Sequence, residues 1–191
     1  MVATRNSRRD VIEVAGRLFA EQGYHGTSMR DLGRELGVVG SSLYAHVESK
    51  QDLLVEVVEE GARLFEESAE MALAAGGTAT DRLKALIAGH VAVVVDNIDV
   101  SRTFLNEARM LDGAHRSRVL AARDHYEEAF RAVIRDGVVG GSFREDVEPK
   151  TTTILILSML NAIERWYHPK GELSRDALIE RVTEFSLDGL R

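Results

Sequence analysis

Ser41, Ser42, Tyr44, His46 and Lys50 lie close together and carry the chemistry of gripping a polyanion. Hydroxyl, phenol, imidazole and ammonium all donate hydrogen bonds to phosphate oxygens, and such contacts fix a protein on a duplex. Gly40, Ser41 and Ser42 are small, so backbone and base edges can approach closely in a major groove. Arg5 and Arg8 are placed to extend the contact from an N-terminal arm. Thr27, Ser28 and Arg30 sit where a helix begins, and a helix N-terminus favours anions. Taken singly, Tyr44 reads as a half-buried packing residue, His46 as a surface residue and Lys50 as a solvated charge. Together these donors suit the phosphates of double-stranded DNA.

The elements that must carry these groups follow from hydrophobic spacing. Val11, Ile12, Ala15, Leu18 and Phe19 recur with a helical period, giving a helix over Ser7–Gln22 that Gly23 ends. Thr27 or Ser28 caps a second helix, Asp31 favours its positive end, and Gly37 stops it. Val38 and Val39 make a turn into a short helix over Gly40–Val47. Ser49-Lys50-Gln51-Asp52 resembles a capping box and opens a long helix to Ala74. Two short helices joined by a tight glycine-containing turn, behind a longer one, form a helix-turn-helix.

Beyond the break at Ala75-Gly76-Gly77-Thr78 the pattern stays helical. Helices are expected from Asp81 to Asp96, Thr103 to Leu111, Arg116 to Asp136 and Pro149 to Tyr167, with a last one capped by Ser174. Asn97–Ser101 is expected to be a turn, and Gly137–Ser142 a loop anchored by Phe143. No stretch alternates with period two. The expectation is an all-α chain of about nine helices: a three-helix N-terminal helix-turn-helix domain over 1–50, then a helical ligand-binding and dimerisation domain over 51–191.

Composition agrees. The 191 residues carry a net charge of −7, are 45% apolar and contain no Cys, which removes disulfide scaffolds, thiol catalysis and Cys-ligated zinc. Residues 1–50 hold seven basic and six acidic groups, so the acidity lies almost wholly in the remainder. A locally basic head on an acidic body suggests two roles on one chain. The most apolar run, Ile154–Leu160, falls far short of the ~20 residues that span a bilayer. The polar N-terminus lacks the apolar core of a secretory signal. A cytoplasmic protein without membrane contact is expected.

The run Val38-Val39-Gly40-Ser41-Ser42-Leu43-Tyr44-Ala45-His46-Val47-Glu48-Ser49-Lys50, preceded by Thr27-Ser28-Met29-Arg30-Asp31-Leu32, resembles the signature of the TetR family of bacterial transcriptional repressors. The resemblance implies phosphate contacts for Tyr44, His46 and Lys50. It places Arg30, Gly40, Ser41 and Ser42 against bases or nearby backbone. Two positions depart from the pattern: Val39 stands where a small polar cap is common, and Val47 replaces a usual Phe.

Thr151–His168 is apolar nearly all round, through Ile154, Leu155, Ile156, Leu157, Met159, Leu160, Ala162 and Ile163. Such a helix must be covered on every side. With the stripe Leu178, Val182, Phe185 and Leu190 it predicts a four-helix interface in a homodimer, which suits a palindromic operator. An internal effector pocket needs apolar walls and a few oriented polar groups. Phe104, Glu107, Arg109, Asn161, Arg165 and Trp166 are the candidates. The segment from Asn161 to Ser174 is similar to TetR regulators of lipid, sterol and phenylacetate catabolism, which implies an acyl-CoA thioester as the small-molecule effector. Phe104 and Trp166 would then line an acyl channel, and Arg109 or Arg165 would meet a CoA phosphate. No nucleophile elbow, Walker loop, dinucleotide fingerprint or His-Glu-x-x-His pair occurs, so no catalytic residue, metal or cofactor is expected. The rival readings are a transcriptional activator and a helical ligand-binding protein acting through protein partners.

Overall fold

Short polar side chains mark where the helices of this chain begin. Ser7, Ser28 and Thr78 each accept a hydrogen bond from a backbone N–H three residues on, and the carboxylate of the Asp at that position accepts one from the cap's own N–H. These reciprocal pairs satisfy donors that a helix start otherwise leaves orphaned. They open α1 (Arg8–Gly26), α2 (Met29–Glu35) and α4 (Ala79–Asp96). Ser49 and Asp52 act similarly at the start of α3 (Lys50–Ala74). Then come α5 (Ile98–Glu107), a 3-10 turn (Ala108–Met110) and α6 (Gly113–Val139). Pro149 takes the first position of α7 (Pro149–Trp166), and Ser174 caps α8 (Arg175–Asp188). The computed structural model describes residues 7–38 and 47–191, and among them all regular structure is helical. The expected helix over Gly40–Val47 lies outside the described residues save for Val47, which is buried and not helical.

The chain groups into two compact units, 1–62 with 99–119, and 63–98 with 120–191. In the first, α1 buries Val11, Ala15, Leu18 and Phe19. The α5 helix crosses it at Gly16, whose carbonyl accepts the Thr103 hydroxyl at 3.0 Å. A side chain on Gly61 of α3 would begin 2.6 Å from Phe104 Cβ, so the bare glycine lets α5 lie against α3. In the second unit, α4 packs against α7 and α8. Leu83, Leu86, Ile87, Phe130, Ile134, Leu160 and Ile163 are among its largest fully buried side chains.

Three boundaries differ from the sequence reading. Gly23 breaks α1 with φ of 74°, yet helical structure resumes to Gly26. The turn expected over Asn97–Ser101 is Asn97 alone, and α5 starts at Ile98. Helix α6 runs through Gly137 to Val139 instead of stopping before it. The missing side chain at Gly137 is where the Phe143 ring packs, since a Cβ there would collide with it. The Gly137 carbonyl accepts the N–H groups of Ser142 and Phe143, so the glycine that reads as a breaker anchors the return of the chain. Of the apolar stripe of the last helix, Leu178, Val182 and Leu190 are buried within the chain, whereas Phe185 is 71% exposed.

Candidate nucleic-acid interface and effector residues

The described part of the candidate interface is built around the start of α3. The Lys50 ammonium donates to the carbonyls of Tyr24 and Thr27, both at 2.8 Å, and lies 4.2 Å from the centre of the Tyr24 ring. One cation thus holds the last carbonyls of α1 and the lead into α2. A charge there complements the negative end of a helix. Beside it, Gln51 accepts the Tyr24 hydroxyl at 2.7 Å and donates to the Met110 carbonyl at 3.4 Å. Partial burial raises the Tyr24 phenol above its ordinary pKa, so it remains a donor at neutral pH.

The other candidates divide by surroundings. Thr27 is 1% exposed, and its hydroxyl donates to the carbonyls of Leu18 and Gly23. Its side chain pins the α1–α2 junction from inside and is not presented at the surface. Ser28 is exposed and caps α2. Its hydrogen bonds hold the Asp31 carboxyl below the usual carboxylate range. Arg30 is exposed in the first turn of α2. Arg8 is exposed and reaches back to Glu56 of α3 through a two-point contact of 2.8 and 3.0 Å. Arg5, Gly40, Ser41, Ser42, Tyr44 and His46 lie outside the described residues.

The effector candidates fall into two groups. Phe104, Glu107 and Arg109 belong to the first unit, and Asn161, Arg165 and Trp166 to the second. Phe104 is buried against Gly61, Glu107 is half-buried near Gly23, and Arg109 is exposed. Asn161 is half-buried, Trp166 is 49% exposed, and exposed Arg165 lies 3.4 Å from the buried Glu164 carboxylate. Neither unit by itself brings all six together.

Sequence reasoning passed over several groups that the structure makes prominent. Tyr24, Gln51 and Glu56 become visible only once α1 and α3 are packed. A second such group is His90, completely buried in α4, with Nδ1 3.0 Å from the Tyr126 hydroxyl. Phe65 and Tyr126 flank it at ring-centre separations of 4.9 and 5.9 Å, and Phe130 meets Tyr126 at 5.5 Å with the rings tilted by 56°. Its one signal in the sequence was a lone imidazole in the apolar stripe Leu86, Ile87, Val91 and Val94. Burial drives its pKa down to about 3. Among the described residues no group of three His, Asp or Glu could hold a metal ion, and no helix is long and apolar enough to cross a membrane.

A capped α2 follows α1, and Lys50, the first residue of a long helix, holds the junction between them. Residues 11–57 match the family described as bacterial regulatory proteins, tetR family, and residues 76–190 match the tetracyclin repressor-like C-terminal domain. The chain belongs to the TetR family. It is a DNA-binding transcription regulator by that membership. The HTH-type transcriptional repressor KstR2 of Rhodococcus jostii is 26% identical over 185 residues, covering 96% of this chain and 90% of that protein. The crystal structure of the TetR family regulator PfmR from Thermus thermophilus superposes with a TM-score of 0.86 at 31% identity, covering 95% of this chain and 98% of that one. The structure of AibR in complex with isovaleryl coenzyme A and operator DNA superposes with a TM-score of 0.83 at 25% identity, covering 96% of this chain and 97% of that one. The match to the N-terminal family model takes in α2 and most of α1, and the match to the C-terminal domain takes in α4 to α8.

Proposed function

We infer that this TetR regulator is a repressor that binds a palindromic operator as a homodimer and is released by an acyl-CoA thioester. The division of labour falls near residue 50, with the DNA-reading head over 1–50 and the effector and dimer body over 51–191. The observation that carries the reading is the polar junction at the start of α3. Lys50 holds the α1–α2 corner, and Gln51 joins that corner to the 3-10 turn after α5. A shift of α3 or of that turn therefore changes the pose of the head. A coupling of ~1–3 kcal/mol suffices for a five- to 150-fold change in operator affinity.

Charge and surface support the remaining parts. Arg8 and the third Lys50 proton, with Arg5, Ser28, Tyr44 and His46, are the proposed phosphate donors. Arg30, Gly40, Ser41 and Ser42 are proposed to face bases or nearby backbone, and Thr27 sets the junction that aims them. Ile154 and Leu155 of α7 and Phe185 of α8 are 46%, 66% and 71% exposed, an apolar surface that a second copy would cover. The effector class follows AibR, which is seen with isovaleryl coenzyme A, and not a built pocket. Asn161, Arg165 and Trp166 are proposed on its polar side, with Phe104, Glu107 and Arg109 responding in the first unit.

The test is operator binding by fluorescence anisotropy over a range of salt, with and without a panel of acyl-CoA thioesters, alongside the mass in solution. Two copies per operator, a steep salt slope and release by at least one thioester are expected. Lys50→Ala should weaken operator and random DNA alike and lower the salt slope by about one. A monomer, or binding indifferent to salt, overturns the reading.

A further inference from the structure

We propose that His90 Nε2 is the polar anchor of the effector site in the second unit, donating a hydrogen bond to the thioester carbonyl of an acyl-CoA, with Tyr126 holding the imidazole in the donating orientation. The inference rests on the effector reading above and adds the residue that recognises the reacting group of that ligand.

The argument starts from an unmatched atom. His90 is 1% exposed, and its Nε2 has no hydrogen-bond partner. Buried polar side-chain atoms nearly always have one, and an exception calls for an explanation such as an absent ligand. The neighbours identify the proton. If the Tyr126 hydroxyl donates to Nδ1 across their 3.0 Å contact, Nε2 carries the hydrogen and one donor is left over. If Nδ1 donates to the phenol, the Nε2 lone pair and the phenolic hydrogen are both left over. The first arrangement leaves less unsatisfied, so Nε2–H is the donor on offer.

The surroundings then select the acceptor. Phe65 and Tyr126 enclose the imidazole, with Phe130 behind them. Such walls suit an acyl chain. Burial keeps the imidazole neutral, so it carries no charge to offset a carboxylate. A neutral donor among aromatic rings fits a neutral carbonyl. The site therefore favours a thioester over the corresponding free acid, and over a thioether that lacks the oxygen.

The experiment uses the full-length protein on operator DNA with three probes of equal chain length: an acyl-CoA, the S-alkyl-CoA thioether and the free fatty acid. The wild type should be released by the acyl-CoA at roughly 10- to 100-fold lower concentration than by the thioether, the penalty of leaving a buried donor unpaired. In His90→Leu the acyl-CoA advantage should vanish; the change removes the idle Nε2–H and takes the partner of the Tyr126 hydroxyl away, so the melting temperature is read alongside to show that the variant is folded. Tyr126→Phe keeps the ring packing and should shrink the advantage several-fold, which carries the test should His90→Leu fail to fold. An acyl-CoA advantage retained in full in either folded variant overturns the proposal, as does equal release of the wild type by acyl-CoA and thioether. Both of those results leave the effector reading intact. A wild type that no acyl-CoA releases defeats the effector reading itself, and this inference with it.

Discussion

The two compact units are held together by different physics. The first is tied by directed polar contacts at helix ends: capping pairs at Ser7 and Ser28, the Lys50 ammonium on two carbonyls, and Gln51 between Tyr24 and Met110. The second is held by apolar and aromatic packing around Phe65, Phe130, Ile134, Leu160 and Ile163, in which one imidazole is out of place. Directional bonds fix angles between short helices, which a reading head needs. Non-directional packing tolerates rearrangement, which a body that must admit a ligand needs.

The largest effect should come from the packed unit. Phe130→Ala should cost about 3–5 kcal/mol, since the ring is fully buried and leaves a cavity. The lone Trp, Trp166, lies in that unit, so its fluorescence in a urea titration isolates the loss. A midpoint that stays at the wild-type value would break the contrast between the units.

Acid should act next. The unfolded imidazole titrates near its ordinary value and the folded one near 3, so between them only the unfolded chain takes the proton. The stability contributed by neutral His90 is complete above about pH 6.5 and is lost as pH falls, at ~1.4 kcal/mol per pH unit, or about 2 kcal/mol by pH 5. Between pH 7 and pH 5 the urea midpoint of the wild type should fall relative to that of His90→Leu, which lacks the titrating group. Parallel curves would mean that the imidazole is solvated.

The polar unit should give smaller, local losses. Ser28→Ala should lower stability by about 1 kcal/mol through loss of the α2 cap, seen by far-UV circular dichroism but not by Trp166 emission. A simultaneous shift in both signals would show that the units unfold together. Smallest of all, Arg175→Ala removes an exposed contact of 2.7 Å to Asp96 and should leave the melting temperature where it was.

The helical class was legible because apolar spacing and capping side chains are local signals. Ser7, Ser28, Ser49, Pro149 and Ser174 all mark helix starts where the sequence put them. Gly137 and Asn97 misled for the opposite reason: a glycine reads as a breaker until a ring arrives from further along the chain to fill its empty side. Of the site, the residue types around 41–50 pointed to DNA, but types do not say which donors are already engaged.

Local preference and spacing, then, settled where helices start, which face of each is apolar and to which family the head belongs. Packing alone decided that Thr27 is interior, that Lys50 spends two of its protons on carbonyls, that Phe185 is turned to the surface and that His90 stands enclosed with an idle N–H. The reason is distance along the chain. Lys50 meets a carbonyl 26 residues earlier and His90 a phenol 36 residues later, and no periodicity encodes a partner that far away.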